Sequence, residues 1–157
     1  MHGITLPSRI GVATALGSVG VPLGSAFFAW KARWHLTSLL LLGFVLLGAG
    51  MLGVETIRDY DLVVACVFMN QFGSGVLLPT LVTRVVNAMP AELRGRGSGR
   101  WMSCLFLGQF VNPLIVLAAA ALLSGLLQAV TCFGVVSLAS GGVILLVSLG
   151  RRQQAAT

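Results

Sequence analysis

The side chains in this sequence best suited to chemistry are amides and hydroxyls set inside long apolar runs. Asn70, Gln71, Ser74, Thr80, Thr83, Arg84 and Asn87 fall in or just after the run 62–86, and Ser103, Gln109 and Asn112 fall in the run 101–122. Asn70, Gly73, Leu77, Thr80, Arg84 and Asn87 recur at steps of three and four, which aligns them along one face of a helix. Two chemistries compete for such a stripe. Amides and hydroxyls can hydrogen-bond across helices, worth roughly 1 kcal/mol each. They can also line a path for a polar solute, because a polar stripe at lipid depth must face protein or water. On the second view Asn70, Gln71, Ser74, Thr80 and Gln109 are candidate cavity-wall residues. Arg84, about one turn from the end of its run, either snorkels toward headgroups or stands at the cytoplasmic mouth of a cavity. A fixed positive charge there would favour anionic solutes and repel cationic ones.

Other chemistries find little to work with. Gly95-Arg96-Gly97-Ser98-Gly99 has the glycine spacing of a phosphate-binding loop, but it lacks both a preceding strand and the Gly-Lys-Ser/Thr ending. It is expected to be a flexible basic turn. Cys66, Cys104 and Cys132 sit in three different runs without a CxxC spacing and are expected to act as small hydrophobes. No serine has a Lys, His or Asp partner at a matching depth. Neither a catalytic residue nor a metal site nor a cofactor is expected, and the chain is not read as an enzyme. No Asp, Glu or His lies deep in any run, so a proton relay of the carboxylate type has no candidate here.

The elements that position these residues follow from where charge is absent. Charged residues make up 9% of the 157-residue chain and hydrophobic ones 57%, whereas a soluble domain carries roughly 25% charged residues. So few charges exclude an ordinary soluble enzyme, and the apolar content excludes a disordered chain. Uncharged intervals of 21, 21, 22 and 50 residues separate Arg9 from Lys31, Arg33 from Glu55, Asp61 from Arg84 and Arg100 from Arg151. About 20 helical residues cross the hydrocarbon layer. The first three intervals therefore hold one span each. The last holds two, hinged near Ser124-Gly125. The expected fold is an all-α membrane protein with five transmembrane helices, at about 10–28, 36–54, 62–86, 101–122 and 126–149, in one transmembrane domain with a cytoplasmic tail at 150–157. The alternating ten-residue segments of a barrel are missing. The first span is longer than a signal-peptide core and lacks a convincing cleavage pattern, so it is expected to be retained.

Loop charge predicts the orientation. Lys31 and Arg33, then Arg94, Arg96 and Arg100, then Arg151 and Arg152 mark alternate connections, while Glu55–Asp61 carries a net −2 and Ser124-Gly125 has no charge. The positive-inside rule puts the basic connections and the C-terminus in the cytoplasm and the N-terminus outside. Trp30, Trp34, Tyr60 and Trp101 fall at the expected interfaces. The formal charge of +6 is scattered over separate segments, which matches topology anchors and a lipid-bilayer partner better than a nucleic-acid surface. Gly20 and Gly24 form a GxxxG step, with Gly17 nearby, that predicts close packing of the first span. Pro22, Pro79 and Pro113 predict kinks or local unwinding. The spans at 36–54 and 126–149 are apolar almost throughout, as helices facing lipid should be.

The segment from Gly73 to Pro113 resembles the tenth and eleventh helices of bacterial major facilitator superfamily transporters and the loop between them. The resemblance rests on the Gly-rich helix with Pro79, on Pro90 followed by Arg94-Gly95-Arg96-Gly97, and on Gly108-Gln109-Phe110 with Pro113. By order, the five spans would then be helices eight to twelve of a twelve-helix bundle. The resemblance implies alternating access for a small organic solute, efflux being one direction, in the bacterial inner membrane. It also implies that span three lines the cavity, that spans one and four flank it, and that two and five face lipid. The family's loop signature after helix eight is not kept. Gly24 is followed by Ser25-Ala26-Phe27-Phe28-Ala29-Trp30-Lys31-Ala32-Arg33, without the Asp and the second Gly, so its gating ion pair does not carry over. The chain is accordingly expected to be an incomplete C-terminal half, partnered by missing N-terminal helices or by another membrane chain. The alternative is a small integral membrane protein with a structural or partner-binding role. A reading frame for about seven further spans upstream of codon 1 would discriminate between the two.

Overall fold

The computed structural model describes the backbone of residues 7–31, 35–123 and 125–154, and side chains within 11–150. Among these residues every regular element is helical: α1 (Pro7–Ser18), α2 (Gly20–Trp30), α3 (Leu36–Thr56), α4 (Tyr60–Asn87), a 3-10 turn at Ala91–Leu93, α5 (Arg94–Leu122) and α6 (Leu126–Gln154). With α1 and α2 taken together as one segment, five segments are long and apolar enough to span a membrane. The expected Arg33 and Trp34 interface and the Ser124 half of the hinge lie outside the described residues. Gly125 does sit between α5 and α6, its N–H donating to the Ala120 carbonyl at 2.9 Å.

The prolines act locally as their chemistry requires. Pro22 has no N–H and its ring crowds the carbonyl four residues back; α1 ends at that residue, Ser18, and α2 resumes at Gly20. The first span is thus two helices with a break at Val19. At Pro79 the helix continues, but the Gly75 carbonyl loses its helical donor. Ser25 on α2 replaces it, its hydroxyl donating to Gly75 O at 3.2 Å. The start of α4 is closed by Asp59, whose carboxylate accepts from Asp61 N at 3.0 Å. Asp61 in the first turn and Arg84 in the last complement the helix dipole.

One expected turn is helix instead. Gly95–Gly99 forms the opening turns of α5, which begins seven residues before the expected start at 101. Arg94 Nε donates to the Met89 carbonyl at 3.3 Å, and Met89 lies over Gly97, where a Cβ would overlap its thioether. Local contacts here outweigh the poor helix propensity of glycine. At the other end of the chain, α6 carries helix through the expected tail as far as Gln154.

Glycine seams set the packing. Gly17 meets Val67, Gly20 lies against Phe68 and Phe72, and Gly24 against Phe72 and Gly75, so α2 runs parallel to α4. The GxxxG expectation is met: Gly20 and Gly24 are buried, and a Cβ on Gly75 would overlap the Val21 carbonyl. Gly43 meets Leu77, Gly50 meets Asn70 and Gly53 meets Cys66, so α3 runs antiparallel to α4. On its other flank α3 receives α6, with Gly48 against Gly134 and Leu138 and Ser137 Oγ donating to Phe44 O at 3.1 Å. Helix α3 is therefore enclosed between α4 and α6, not a helix whose surface faces mainly lipid. Its apolar composition carries small residues that let two neighbours approach closely, and hydropathy does not register this. Leu39, Val76 and Thr80 are fully buried in the bundle.

Candidate functional site

Helix α4 divides the candidate residues between two faces. Asn70, Gly73, Leu77, Thr80 and Arg84 share one face, and Gln71, Ser74, Leu78, Val82 and Val85 share another, by the 100° step of the helix. The first face is turned to α3 along its upper part. Asn70 Nδ2 donates to the Leu47 carbonyl at 2.9 Å, and a Cβ on Gly73 would stand 2.9 Å from the Leu46 side chain. Thr80 is completely buried and returns its hydroxyl to the Val76 carbonyl at 2.6 Å, while Thr83 does the same to Pro79 O at 2.8 Å. Asn70 Nδ2 and the Thr80 hydroxyl are thus engaged within the packed bundle. Deep back-bonding of this kind also lets a hydroxyl sit in a low-polarity interior at little cost.

The second face is different. Gln71 and Ser74 are half-buried, and among the described residues neither side chain takes part in a hydrogen bond. Gln71 approaches α2, its Cβ 3.1 Å from where a Cβ on Gly20 would be. Below Ser74 this face becomes apolar: Val82, Val85 and Val86 meet Ser98, Trp101 and Met102 at the start of α5.

Helix α5 has no buried residue along its 29 positions, although it has the length and hydropathy of a span. Gln109 and Asn112 are exposed on it, as is Phe110 at 77%. Pro113, lacking an N–H, removes the donor that the Gln109 carbonyl has in a regular helix. Gln109 thus combines an exposed amide with a released backbone acceptor in mid-span.

Arg84 is exposed at the end of α4, and it opens toward α3 and α6, not toward α5. It lines a cavity of about 280 Å³ together with Thr37, Leu40, Leu81, Ile144 and Ser148, among others. Lys31, Arg84, Arg94, Arg96 and Arg100 lie at one end of the bundle. Glu55, Arg58, Asp59 and Asp61 lie at the other, where Thr131 Oγ1 on α6 donates to the Glu55 carboxylate. The segregation of charge read from the loops is therefore matched by the way the helices pack. The structure also supplies a role for Ser25 and Ser137 that the sequence did not single out. Each bonds a backbone carbonyl on a neighbouring helix, and a lone serine in an apolar run gives no signal of which carbonyl it will meet. No group of three or more potential metal ligands occurs among the described residues. Comparison with family models, curated proteins and solved structures finds no match.

Proposed function

We propose that the chain forms part of the wall of a solute path in a multi-pass secondary transporter of the bacterial inner membrane, organised like the C-terminal half of a major facilitator superfamily protein. The observation that carries this reading is the contrast between the two faces of α4. One bonds Asn70 to α3 and returns the Thr80 hydroxyl to the backbone of α4 itself. The other presents Gln71 and Ser74 without hydrogen-bond partners among the described residues, in a bundle whose α5 buries nothing and carries Gln109 and Asn112. Unpaired amides at lipid depth are costly unless water, solute or further helices meet them. Gln71, Ser74 and Gln109 are therefore the favoured wall residues, Asn70 and Thr80 support them by holding α4 in place, and Arg84 lies at the cytoplasmic end. The solute is a small organic molecule, and further helices from the same polypeptide or from a second chain complete the path. Alternating access would be a rocking of this bundle against that second one.

Accessibility tests the path directly. In a background with Cys66, Cys104 and Cys132 replaced by serine or alanine, single variants Gln71→Cys, Ser74→Cys and Gln109→Cys in membrane vesicles are expected to react with a hydrophilic thiol reagent. A control Val45→Cys on the outer surface of α3 is expected to stay unlabelled. If all three positions are as inert as Val45, no water-filled path exists and the proposal fails. Efflux or uptake of a panel of organic solutes by cells carrying the chain, against Gln71→Leu and Gln109→Leu, then tests transport itself.

A structural or partner-docking role is the second reading. It is favoured by Asn70 Nδ2 and the Thr80 hydroxyl, which already have partners inside the bundle. Under that reading Gln109→Leu would weaken association with a partner helix and leave solute movement unchanged.

A further inference from the structure

We propose that the groove between α3, α4 and α6 at the basic end of the bundle is a binding site for an anionic phospholipid, with its phosphate on Arg84 and an acyl chain running inward. Three observations converge there. The cavity of about 280 Å³ has Thr37 and Arg84 near the ends of α3 and α4 and Ser148 beside them on α6, six residues before its end, with Leu40, Leu81 and Ile144 about one turn deeper. A second cavity of about 450 Å³ adjoins it through Thr37, Ile144 and Ser148 and adds His35 and Ser38 to the polar rim. Among the described residues the Arg84 guanidinium has no ion-pair partner. Polar groups at the level of headgroups, an apolar slot beneath them and an uncompensated cation together match one molecule: a lipid with a charged phosphate and hydrocarbon tails. A soluble phosphate would leave the apolar slot unfilled, and a neutral lipid would leave Arg84 without a counter-charge.

The site also has a mechanical consequence. It bridges α3, α4 and α6, where α3 meets the other two through glycines of all three helices, so a bound lipid would brace α6 against α4 across α3. The inference rests on the membrane-spanning reading and not on transport.

The test uses the purified full chain in mild detergent, and helix content measured by circular dichroism establishes that each variant is folded. Native mass spectrometry compares phosphatidylglycerol with phosphatidylcholine of the same acyl chains. Wild type is expected to retain phosphatidylglycerol preferentially, and Arg84→Gln to lower that preference about fivefold, the effect of one headgroup charge. Arg84→Lys is expected to keep most of it. Ile144→Trp, which fills the slot and leaves Arg84 in place, is expected to lower retention of phosphatidylglycerol as well. Arg100→Gln, at the same end but off the groove, is expected to change nothing.

Equal retention of the two lipids by wild type overturns the proposal, as does an unchanged preference in Arg84→Gln. Unchanged retention in Ile144→Trp also overturns it, because an arginine reaching headgroups without a groove would then suffice. Displacement of the lipid by millimolar inorganic phosphate would assign the site to a free anion instead. Release of the chain from membranes by alkaline carbonate would defeat the membrane reading itself, and that result is separate from every lipid-binding outcome.

Discussion

At the scale of single residues, the bundle is organised by carbonyl groups that need donors. Pro79 strips the Gly75 carbonyl of its helical partner, and Ser25 on α2 supplies one at 3.2 Å. Ser25→Ala is therefore expected to cost about 1 kcal/mol in detergent unfolding, the scale of an interhelical hydrogen bond. In a Pro79→Ala background the same substitution is expected to cost much less, because the backbone N–H restored at position 79 would already occupy Gly75 O. A double-mutant cycle reads the coupling, and strict additivity would show that the proline and the serine act independently. The two faces of α4 make a parallel contrast. Asn70→Ala removes the bond to Leu47 O and is expected to lower stability by about 1 kcal/mol, whereas Ser74→Ala should leave it within about 0.5 kcal/mol. Equal losses at the two positions would mean that Ser74 is also a packing residue. The sequence aligned the first face correctly as a single stripe. It could not say that the stripe would be covered by α3, because periodicity identifies residues that share a face and not what the face meets.

At the scale of elements, α3 and α5 exchange the parts their compositions suggest. Helix α3 is almost wholly apolar, yet α4 and α6 close on it through Gly43, Gly48 and Gly50, all buried. Helix α5 carries more polar residues and buries none. Close approach depends on where small residues fall on both partners, which is a property of pairs and invisible in a hydropathy profile. Backbone amide exchange in detergent is expected to be fastest in the middle of α5 and slowest in α3 near Gly43 to Gly50. Hydrogen–deuterium exchange with mass spectrometry checks the order, and protection of α5 equal to that of α3 would contradict its lack of packing. A kink or unwinding near Pro22 was legible, and there it became a break between α1 and α2, whereas α4 and α5 run unbroken through Pro79 and Pro113. The helical state of Gly95–Gly99 was not, since it depends on Met89 folding back over Gly97.

At the scale of the whole molecule, charge and packing agree. Helices α2, α4 and α6 run in one direction, α3 runs against them, and the basic and acidic connections collect at opposite ends. If the bundle takes the orientation that the positive-inside rule predicts, a reporter fused after Tyr60 is expected on the outer side, and reporters after Ser98 or Ala155 in the cytoplasm. A paired alkaline phosphatase and fluorescent-protein assay measures this, and an inverted signal at any one site would break the five-crossing arrangement.

What the sequence by itself determined is the number of span-length helices, their approximate limits, their alternation and the segregation of charge. These follow from the length needed to cross a hydrocarbon layer and from the cost of leaving charge within it, both of which act on each segment separately. What only the tertiary structure decided is which helix sits between which. It placed Asn70 in a bonded seam, left Gln71 and Ser74 without hydrogen-bond partners among the described residues, and turned Arg84 toward α3 and α6. Those outcomes depend on glycine surfaces meeting across distances of tens of residues, and no single segment carries that information.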